Sequence, residues 1–557
     1  ISLAHYNEPK VVSLTDTHET AISTNLGTGT AQQIVLDGYQ FKGATPTPAM
    51  SAPTEDTWAG RSVLGNTTTG NTLTINGTNH RDAYGGWTAG TGTTKAAKDN
   101  STGNIVNLKA GSVHNIYGGY TSAASGNATS NTVTIMGGTM TDVYGGFATG
   151  TGKATDNTVN LGDGTHPLVS STNITGTIHG GNKADVTGNT LNVNTNATAG
   201  NIADFDKIKF NLNSSVNPMN SLLTLSNSMQ TTGVNWGKLE VDTARLTGAG
   251  IKTYAPYRLN LMDNTAGIVT TGYTGARDSS TDKLEYVIDT DHHSATAMRY
   301  ITLEGHQFKD NTAATYNEAT PHAEAWSGRT VVGHKVENNT LSVTGGSITT
   351  AAYGGLVENN KVGVTTGDAE KNTIAISGGT VANAYGADVR TRSGNATENT
   401  ADITGGTVTN VYGASLTAAN ATGTVDKSKV TITSGAVTGN VYGGHIAQAT
   451  ATGTVTNSEV NITGGSVGGN LYGGYNAGTG NATGGSLRIA GGTMGDIYMS
   501  TDFLRDNEGN IATDNTGSVL QRNLDNPEYR GSVLPKANIG FSNEFAWKGF
   551  NFGFTIT

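Results

Sequence analysis

Two acids and two histidines lie close together in one short segment of the chain. Asp289, Asp291, His292 and His293 carry carboxylate and imidazole groups, which are ligands for a divalent cation. No second cluster in the sequence would complete a coordination sphere, so an ordinary loop is the competing interpretation. We keep these four residues as metal-site candidates and expect no cofactor.

The carboxylates elsewhere bear on catalysis of polysaccharide cleavage. Lyases and glycosidases need paired carboxylates, or aspartates with a Lys or Arg base, on adjacent strands. Asp142, Asp402, Asp426 and Glu459 fall at different positions of the repeat described below, so they predict no shared active site. The chain has no cysteine, which excludes catalytic thiols and disulfides. We expect a protein that is not an enzyme, with a polysaccharide-active β-helix enzyme as the alternative.

A tyrosine followed by glycine recurs at intervals of about 30 residues, which is typical of a repeat protein. Each tyrosine follows an apolar residue, and neighbours in an extended strand point to opposite faces. If the apolar residue is inside, the tyrosines form an outer stripe that suits contact with a sugar or a protein. The alternative is that each ring folds over the edge of the core. The recurring tyrosines are Tyr84, Tyr117, Tyr144, Tyr353, Tyr385, Tyr412, Tyr442 and Tyr472.

Short strands of pattern Asn-x-apolar-x-apolar lie between the tyrosine turns, as in Asn131 to Ile135. Alternation of Val133 and Ile135 with threonines predicts a half-buried β-strand. Such strands bury too little alone, so coils must stack at about 4.8 Å to build a core. The asparagines then form a side-chain ladder, and paired glycines such as Gly137 and Gly138 lie at corners. The predicted fold is all-β, a right-handed parallel β-helix, or β-solenoid.

An internal duplication divides the chain. Ile34 to Lys42 matches Ile301 to Lys309, and Trp58 to Arg61 matches Trp326 to Arg329. We expect each tryptophan to cover the first coil of its array, because exposed ends of repeat arrays need closing. The predicted divisions are N-terminal strands and an entry module (1–59), a first array (60–200), a less regular β spacer (201–300), a second entry module (301–329), a second array (330–498) and a non-repeat tail (499–557).

The composition limits the kinds of partner that the protein is expected to bind. Only 14% of the 557 residues are charged, 78 are glycine and the net charge is −10. No Lys/Arg cluster is present, so we expect no nucleic acid partner. The sequence contains no run of 18 apolar residues, so we expect no transmembrane helix.

The Asn-x-Val-x-Ile, Gly-Gly-Thr-Val and Val-Tyr-Gly-Gly units resemble the passenger repeats of autotransporter-type surface proteins of diderm bacteria, over about residues 30–500. This resemblance implies secretion across the outer membrane through a C-terminal β-barrel in the full-length protein. It also implies an extracellular or cell-surface location.

The tail resembles a different family over about its last 62 residues, from Gly495 on. The stretch from Gly531 to Phe545 is similar to late barrel strands of starch-utilisation-type TonB-dependent outer-membrane transporters. Phe541, Phe545 and Trp547, followed by a turn at Lys548-Gly549, indicate an aromatic β-hairpin. Two strands cannot close a barrel.

The sequence therefore predicts a non-enzymatic extracellular surface protein, adhesin-like or fibre-forming. Its expected partners are a host or bacterial surface glycan or protein, with self-association as a further expectation. The two alternatives are a polysaccharide-active β-helix enzyme and a fragment associated with an outer-membrane glycan importer.

Overall fold

The computed structural model describes the greater part of the chain. The described residues are 10–25, 33–46, 55–89, 99–169, 172–213, 219–227, 233–242, 250–268, 277–278, 280–290, 298–358, 365–494, 497–503, 521–522, 543–547 and 550–554. They form a parallel β-solenoid of about 13 turns, which confirms the predicted fold class. The chain divides into a first unit (1–247, 258–279, 288–304) and a second unit (248–257, 280–287, 305–557).

Glycine corners interrupt the extended backbone, so the coils contribute strands to two long walls, and many coils add a strand to a third, short wall. The wall that carries the Asn-x-Val-x-Ile strands is called the valine wall. Its strands are Thr132–Ile135, Thr158–Leu161, Thr190–Val193, Lys207–Asn211 and Leu239–Asp242 in the first unit, and Ala314–Tyr316, Thr340–Val343, Thr373–Ile376, Thr400–Ile403, Lys429–Ile432, Glu459–Ile462 and Ser486–Ile489 in the second.

The wall that carries the recurring tyrosines is called the tyrosine wall. In the first unit, Thr72–Thr88 and Ile105–Thr121 run through both the valine wall and the tyrosine wall. The other tyrosine-wall strands are Thr57–Ser62, Thr139–Ala148, Asn173–His179, Ala197–Ala203 and Leu223–Leu225, and in the second unit His322–Thr330, Ser347–Val357, Thr380–Val389, Thr407–Leu416, Ala436–Val437, Val441–Ile446, Ser466–Val467, Leu471–Asn476 and Ile497–Phe503.

The short wall consists of strands of two or three residues. They are Thr68–Thr69, Ser101–Thr102 and Ala128–Thr129, then Val336–Glu337, Ala369–Glu370, Ala396–Thr397, Thr424–Asp426, Thr454–Thr456 and Ala482–Thr483.

The remaining strands flank the arrays. Lys10–Leu14, His18–Asn25 and Gln33–Gln40 form an antiparallel sheet. One short 3-10 turn spans Trp236–Lys238, and none of the described residues forms a helix long and apolar enough to cross a membrane. The other strands are Tyr257–Ile268, Arg277–Asp278, Leu284–Thr290, Met298–Gln307, Gln521–Arg522, Asn543–Trp547 and Phe550–Phe554.

Two strand pairings concern the predicted boundaries of the first array and the tail. In the first unit, parallel pairing of the valine wall continues through Lys207–Asn211 to Leu239–Asp242, past residue 200, where the sequence pattern ends the array. In the tail, Asn543–Trp547 and Phe550–Phe554 pair antiparallel, as a hairpin at this position requires. The importer resemblance of the tail stays a prediction.

The core is a stack of Val, Ile and Leu side chains, as the alternation predicts. Val133 and Ile135 are fully buried and pair in register with Val106 and Leu108 of the preceding coil. Their threonine neighbours are only partly buried and face outward. One slip of register would move all the apolar side chains outward, so the alternation also fixes the register.

The asparagines that precede most strands of the valine wall form the predicted buried ladder, and Ser428 and Ser458 take their place in two later coils. Asn131 Nδ2 donates to Asn157 Oδ1 at 3.1 Å and to the Ser101 carbonyl at 3.0 Å. Its own Oδ1 accepts from the backbone N–H and the side-chain amide of Asn104. The fully buried members are Asn71, Asn104, Asn131, Asn157 and Asn189, then Asn339, Asn372 and Asn399. Because these amides are fully buried and bond to one another and to the backbone, they position the walls and are closed to a ligand from solvent.

The glycines meet two different requirements. Gly138 has φ of 91°, a left-handed conformation that favours glycine, whereas a Cβ on Gly137 would lie 2.3 Å from the Lys109 carbonyl oxygen. In the Tyr-Gly-Gly turn, a Cβ on Gly118 would lie 2.4 Å from the Gly145 oxygen of the next coil. Backbone crowding between coils therefore requires the glycine after the tyrosine.

Each entry tryptophan lies one coil before the first recurring tyrosine of its unit. Trp58 pairs in register with Tyr84, and Trp326 with Tyr353. The duplication also includes a buried glutamate that holds the loop after this strand. Glu19 accepts hydrogen bonds from Ser62 Oγ at 2.8 Å and from Val63 N. Glu285 accepts the equivalent bonds from Thr330 and Val331.

Candidate binding surface

The predicted tyrosines form one in-register stack in each unit, on the face of their strands opposite the fully buried valines. In the first unit, Tyr84, Tyr117 and Tyr144 stack at 5.0 and 5.1 Å, and His179 continues the stack at 4.5 Å. In the second unit, the stack runs from Tyr353 through Tyr385, Tyr412 and Tyr442 to Tyr472, at 4.4 to 5.3 Å. The preceding residues, such as Val143 and Val411, are fully buried.

The stacked tyrosines are only partly accessible. Tyr84 and Tyr353, at the entry ends, are 7% and 1% exposed, while the other six are partly buried. Ring faces are covered by the rings of the neighbouring coils, which leaves edges and hydroxyls toward the outside. Burial raises the pKa of Tyr442 to about 12. The stack is therefore in part a stabilising feature, and it offers neutral phenols to a partner.

The first unit carries a second aromatic row, which we call the outer aromatic ladder: Trp87, Tyr120 and Phe147. These residues lie three positions after the tyrosines and pair in register. The rings of Tyr120 and Phe147 meet the tyrosine rings nearly at right angles, with Tyr144 and Phe147 centroids 5.1 Å apart. Trp87 instead stacks on Tyr84, with ring centroids 4.5 Å apart. All three are partly exposed. The Arg61 guanidinium lies 4.2 Å from the Trp87 ring centroid, a cation–π distance.

Polar side chains border the tyrosine stacks. In the second unit, Asn440 and Asn470 each donate from Nδ2 to the hydroxyl of the tyrosine two residues later, both at 3.1 Å. In the first unit, Asp82 and Asp142 lie at the matching position and accept from backbone N–H groups of the next coil. The same aromatic frame thus has an amide border in the second unit, whereas in the first unit Asp82 and Asp142 flank a single amide, Asn115.

The second unit carries a charged cluster, in which Asp388 takes the register position of the outer aromatic ladder, while His445 and Tyr475 hold that position in later coils. We call Glu324, Glu358, Asp388, Arg329 and Arg390 the ionic cluster. Arg390 contacts Asp388 Oδ2 at 2.9 Å and Glu358 Oε1 at 3.2 Å. Arg329 Nε donates to Glu358 Oε2 at 2.7 Å. Tyr353 links the cluster to the stack, because its hydroxyl donates to Glu324 at 3.0 Å.

Three carboxylates therefore converge on neighbouring coils, and none of them is among the four that the sequence analysis considered. Asp388 and Glu358 are buried, while the side chains of Glu324 and Arg390 remain 30% and 32% exposed. Burial raises the pKa of Asp388, and Arg390 acts in the opposite direction. Two arginines balance most of the charge, since isolated buried carboxylates are costly. The arrangement suits a buried ion-pair network that holds neighbouring coils together. A carboxyl with a raised pKa is also what a general acid needs.

The other carboxylates and the metal-site candidates do not join this cluster. Asp142 borders the tyrosine stack, Asp402 and Glu459 lie on the valine wall, and Asp426 lies on the short wall. Asp289 is buried, and Asp291, His292 and His293 lie outside the described residues. Within the part of the chain that is described, no group of three acids and histidines is placed to hold a metal.

Sequence reasoning missed the outer aromatic ladder and the ionic cluster for different reasons. The ladder had a visible signal, since Tyr-Gly-Gly is followed directly by Trp87, Tyr120 or Phe147. The cluster had none, because Glu324 and Asp388 lie 64 residues apart and meet only through stacking. Neither a protein-family model, a curated protein nor a solved structure matches the chain. Function must therefore be inferred from its own residues.

Proposed function

We propose that the chain is a non-enzymatic extracellular surface protein of a diderm bacterium, an adhesin-like or fibre-forming passenger of the autotransporter type. The observation that carries the proposal is the contrast between the two units. They share the buried asparagine ladder, the entry tryptophan and the tyrosine stack, but differ in the outward side chains beside that stack. A constant scaffold with a variable outer surface suits a contact protein.

The outer aromatic ladder is the part of this surface best suited to a partner. Aromatic rings offer rigid, amphipathic contact area at low entropic cost, which favours glycan and protein surfaces as partners. Trp87, Tyr120 and Phe147 are partly exposed in a row, and Arg61 adds a cation at one end. Each stacked coil repeats the contact, so weak individual contacts act together.

The test is attachment of beads coated with the purified chain to epithelial and bacterial cells. Tyr120→Ala/Phe147→Ala should reduce attachment severalfold, while Tyr475→Ala, a matched aromatic change in the second unit, should leave it near wild type. Hydrogen exchange of the first unit serves as the folding control. Absence of attachment by the wild-type chain, or equal attachment by the double variant, would refute the proposal.

The ionic cluster favours a second candidate, a polysaccharide-active β-helix enzyme. Asp388, with its raised pKa, would protonate a leaving oxygen, and Glu324 reaches solvent beside it. Release of reducing ends or unsaturated products from a panel of neutral and acidic polysaccharides, abolished by Asp388→Asn, would support this candidate and refute the non-enzymatic one.

If the ionic cluster only stabilises the second unit, a different outcome is expected. Arg390→Ala leaves buried Asp388 without its charge partner and should destabilise the second unit by about 3 kcal/mol, with no polysaccharide cleavage in either protein. Adding Asp388→Asn should recover part of this loss, because the uncompensated carboxylate is removed.

A further inference from the structure

The valine wall of the first unit holds a polar groove on a different face from the tyrosine stack. Its floor is the outward-facing row of Asn107, Thr134, Asn160 and Asn192, which pair in register on successive coils. The groove has a volume of about 520 Å³, within the range of small-molecule and cofactor sites.

The side of the groove is a folded turn. The Asp163 carboxylate accepts from the backbone N–H groups of Thr165 and His166 at 2.8 and 2.9 Å. Val169 N then donates to the Met136 carbonyl at 3.2 Å, which ties the turn to the wall. Met136 also lines the groove and supplies an apolar contact.

The floor amides are linked but keep free hydrogen-bonding capacity. Asn192 Nδ2 donates to Asn160 Oδ1 at 2.9 Å, and Asn160 Nδ2 donates to Thr134 Oγ1 at 3.1 Å. An amide has two N–H donors and a carbonyl with two lone pairs, so a donor and an acceptor of each remain available. No described residue hydrogen-bonds the Asn107 side chain. The row therefore presents repeated donor and acceptor pairs.

The second unit shows that this row is not needed for folding. The matching outward positions there are Ser342, Ala375, Asp402, Thr431 and Asn461, with a single amide among them. Both units form the same wall and the same buried core. The amide row is thus a special feature of the first unit, unlike the buried ladder, which both units contain.

We infer that this groove binds a neutral oligosaccharide lying along the solenoid axis. Sugar hydroxyls donate and accept together, which matches amide pairs repeated at the coil spacing of about 4.8 Å. Among the described residues that line the groove, Lys109 and Asp163 are the only ionisable ones, and they carry opposite charges. An extended peptide finds no free edge here, because the strands are already paired on both sides.

The test uses the full chain and a panel of neutral hexasaccharides from glucan, mannan, xylan and galactan series, with affinities measured by calorimetry. Asn160→Ala/Asn192→Ala should weaken binding at least tenfold. Asn461→Ala, the same change at the matched position of the second unit, should leave it unchanged. Threonine is favoured in β-strands, so Asn192→Thr provides a second variant if the double variant folds poorly.

The inference does not rest on the aromatic surface. Tyr120→Ala/Phe147→Ala should keep full oligosaccharide binding, so the groove and the proposed cell attachment can fail separately. The inference is overturned if no neutral oligosaccharide binds, if only charged glycans or peptides bind, or if Asn160→Ala/Asn192→Ala and Asn192→Thr both bind as wild type does.

Discussion

Removal of one amide from the buried asparagine ladder should destabilise several coils of the first unit. Asn131→Ala deletes four hydrogen bonds, two donated and two accepted by the side chain, at a fully buried position. Water cannot replace them there. The Asn104 backbone N–H and the Ser101 carbonyl each lose a partner, and each such loss costs roughly 1–3 kcal/mol. We expect a loss of about 4 kcal/mol.

This loss is large beside the stability of a typical domain, about 5–15 kcal/mol. In repeat proteins each coil contacts mainly its neighbours, so the effect should be local. Urea unfolding monitored by hydrogen exchange should show faster exchange in peptides from residues 99–161, with peptides of the second unit unchanged.

Asn107→Ala is the matched control, because this asparagine lies on the same wall but faces outward and is partly exposed. Its replacement should change stability by no more than about 0.5 kcal/mol. A loss below about 1 kcal/mol for Asn131→Ala, or equal losses for the two variants, would refute the account of the ladder as the main polar support of the coils.

Two further predictions concern the second unit. Gly443→Ala should destabilise this unit strongly, because the new Cβ would lie 2.4 Å from the Gly473 oxygen. Gly474→Ala should be tolerated, because Ala387 and Ala414 occupy the same register position. Thermal melting of both variants tests this difference, and equal melting temperatures would contradict it. Burial lowers the pKa of His445 to about 3, below the ordinary value of about 6.5, so only the unfolded chain gains a proton as the pH falls from 6.5 toward 3. Its stabilising contribution is present above pH 6.5 and is lost on acidification. Urea midpoints at pH 7 and pH 5 should therefore differ more in wild type than in His445→Gln, and identical differences would count against a neutral, partly buried imidazole in the folded protein.

The periodic features of the fold could be predicted from sequence because they depend on local rules. Alternation of Val133 and Ile135 with threonine fixes which side chains enter the core. Repetition of Asn131 at the strand start predicts the amide ladder, since parallel stacking in register places identical residues side by side. The second array and its entry module follow from the match around Trp58 and Trp326.

Sites built from several coils were not predictable in the same way. Glu324, Glu358 and Asp388 occupy unrelated positions of their repeats, and only stacking brings them to Arg390. The oligosaccharide groove likewise needs the turn at Asp163 to fold beside the wall. Loop conformation and lateral contact depend on coil length, which varies from repeat to repeat.

The sequence by itself determined the repeat, the strand alternation and the duplication, because each depends on residue spacing along one chain. Only the tertiary structure decided how far the tyrosines are covered, and which outward side chains meet across coils. Exposure and charge pairing depend on neighbours about 30 residues away in sequence yet only about 4.8 Å away in space. That difference explains why the repeating scaffold could be predicted from the sequence and the ionic cluster could not.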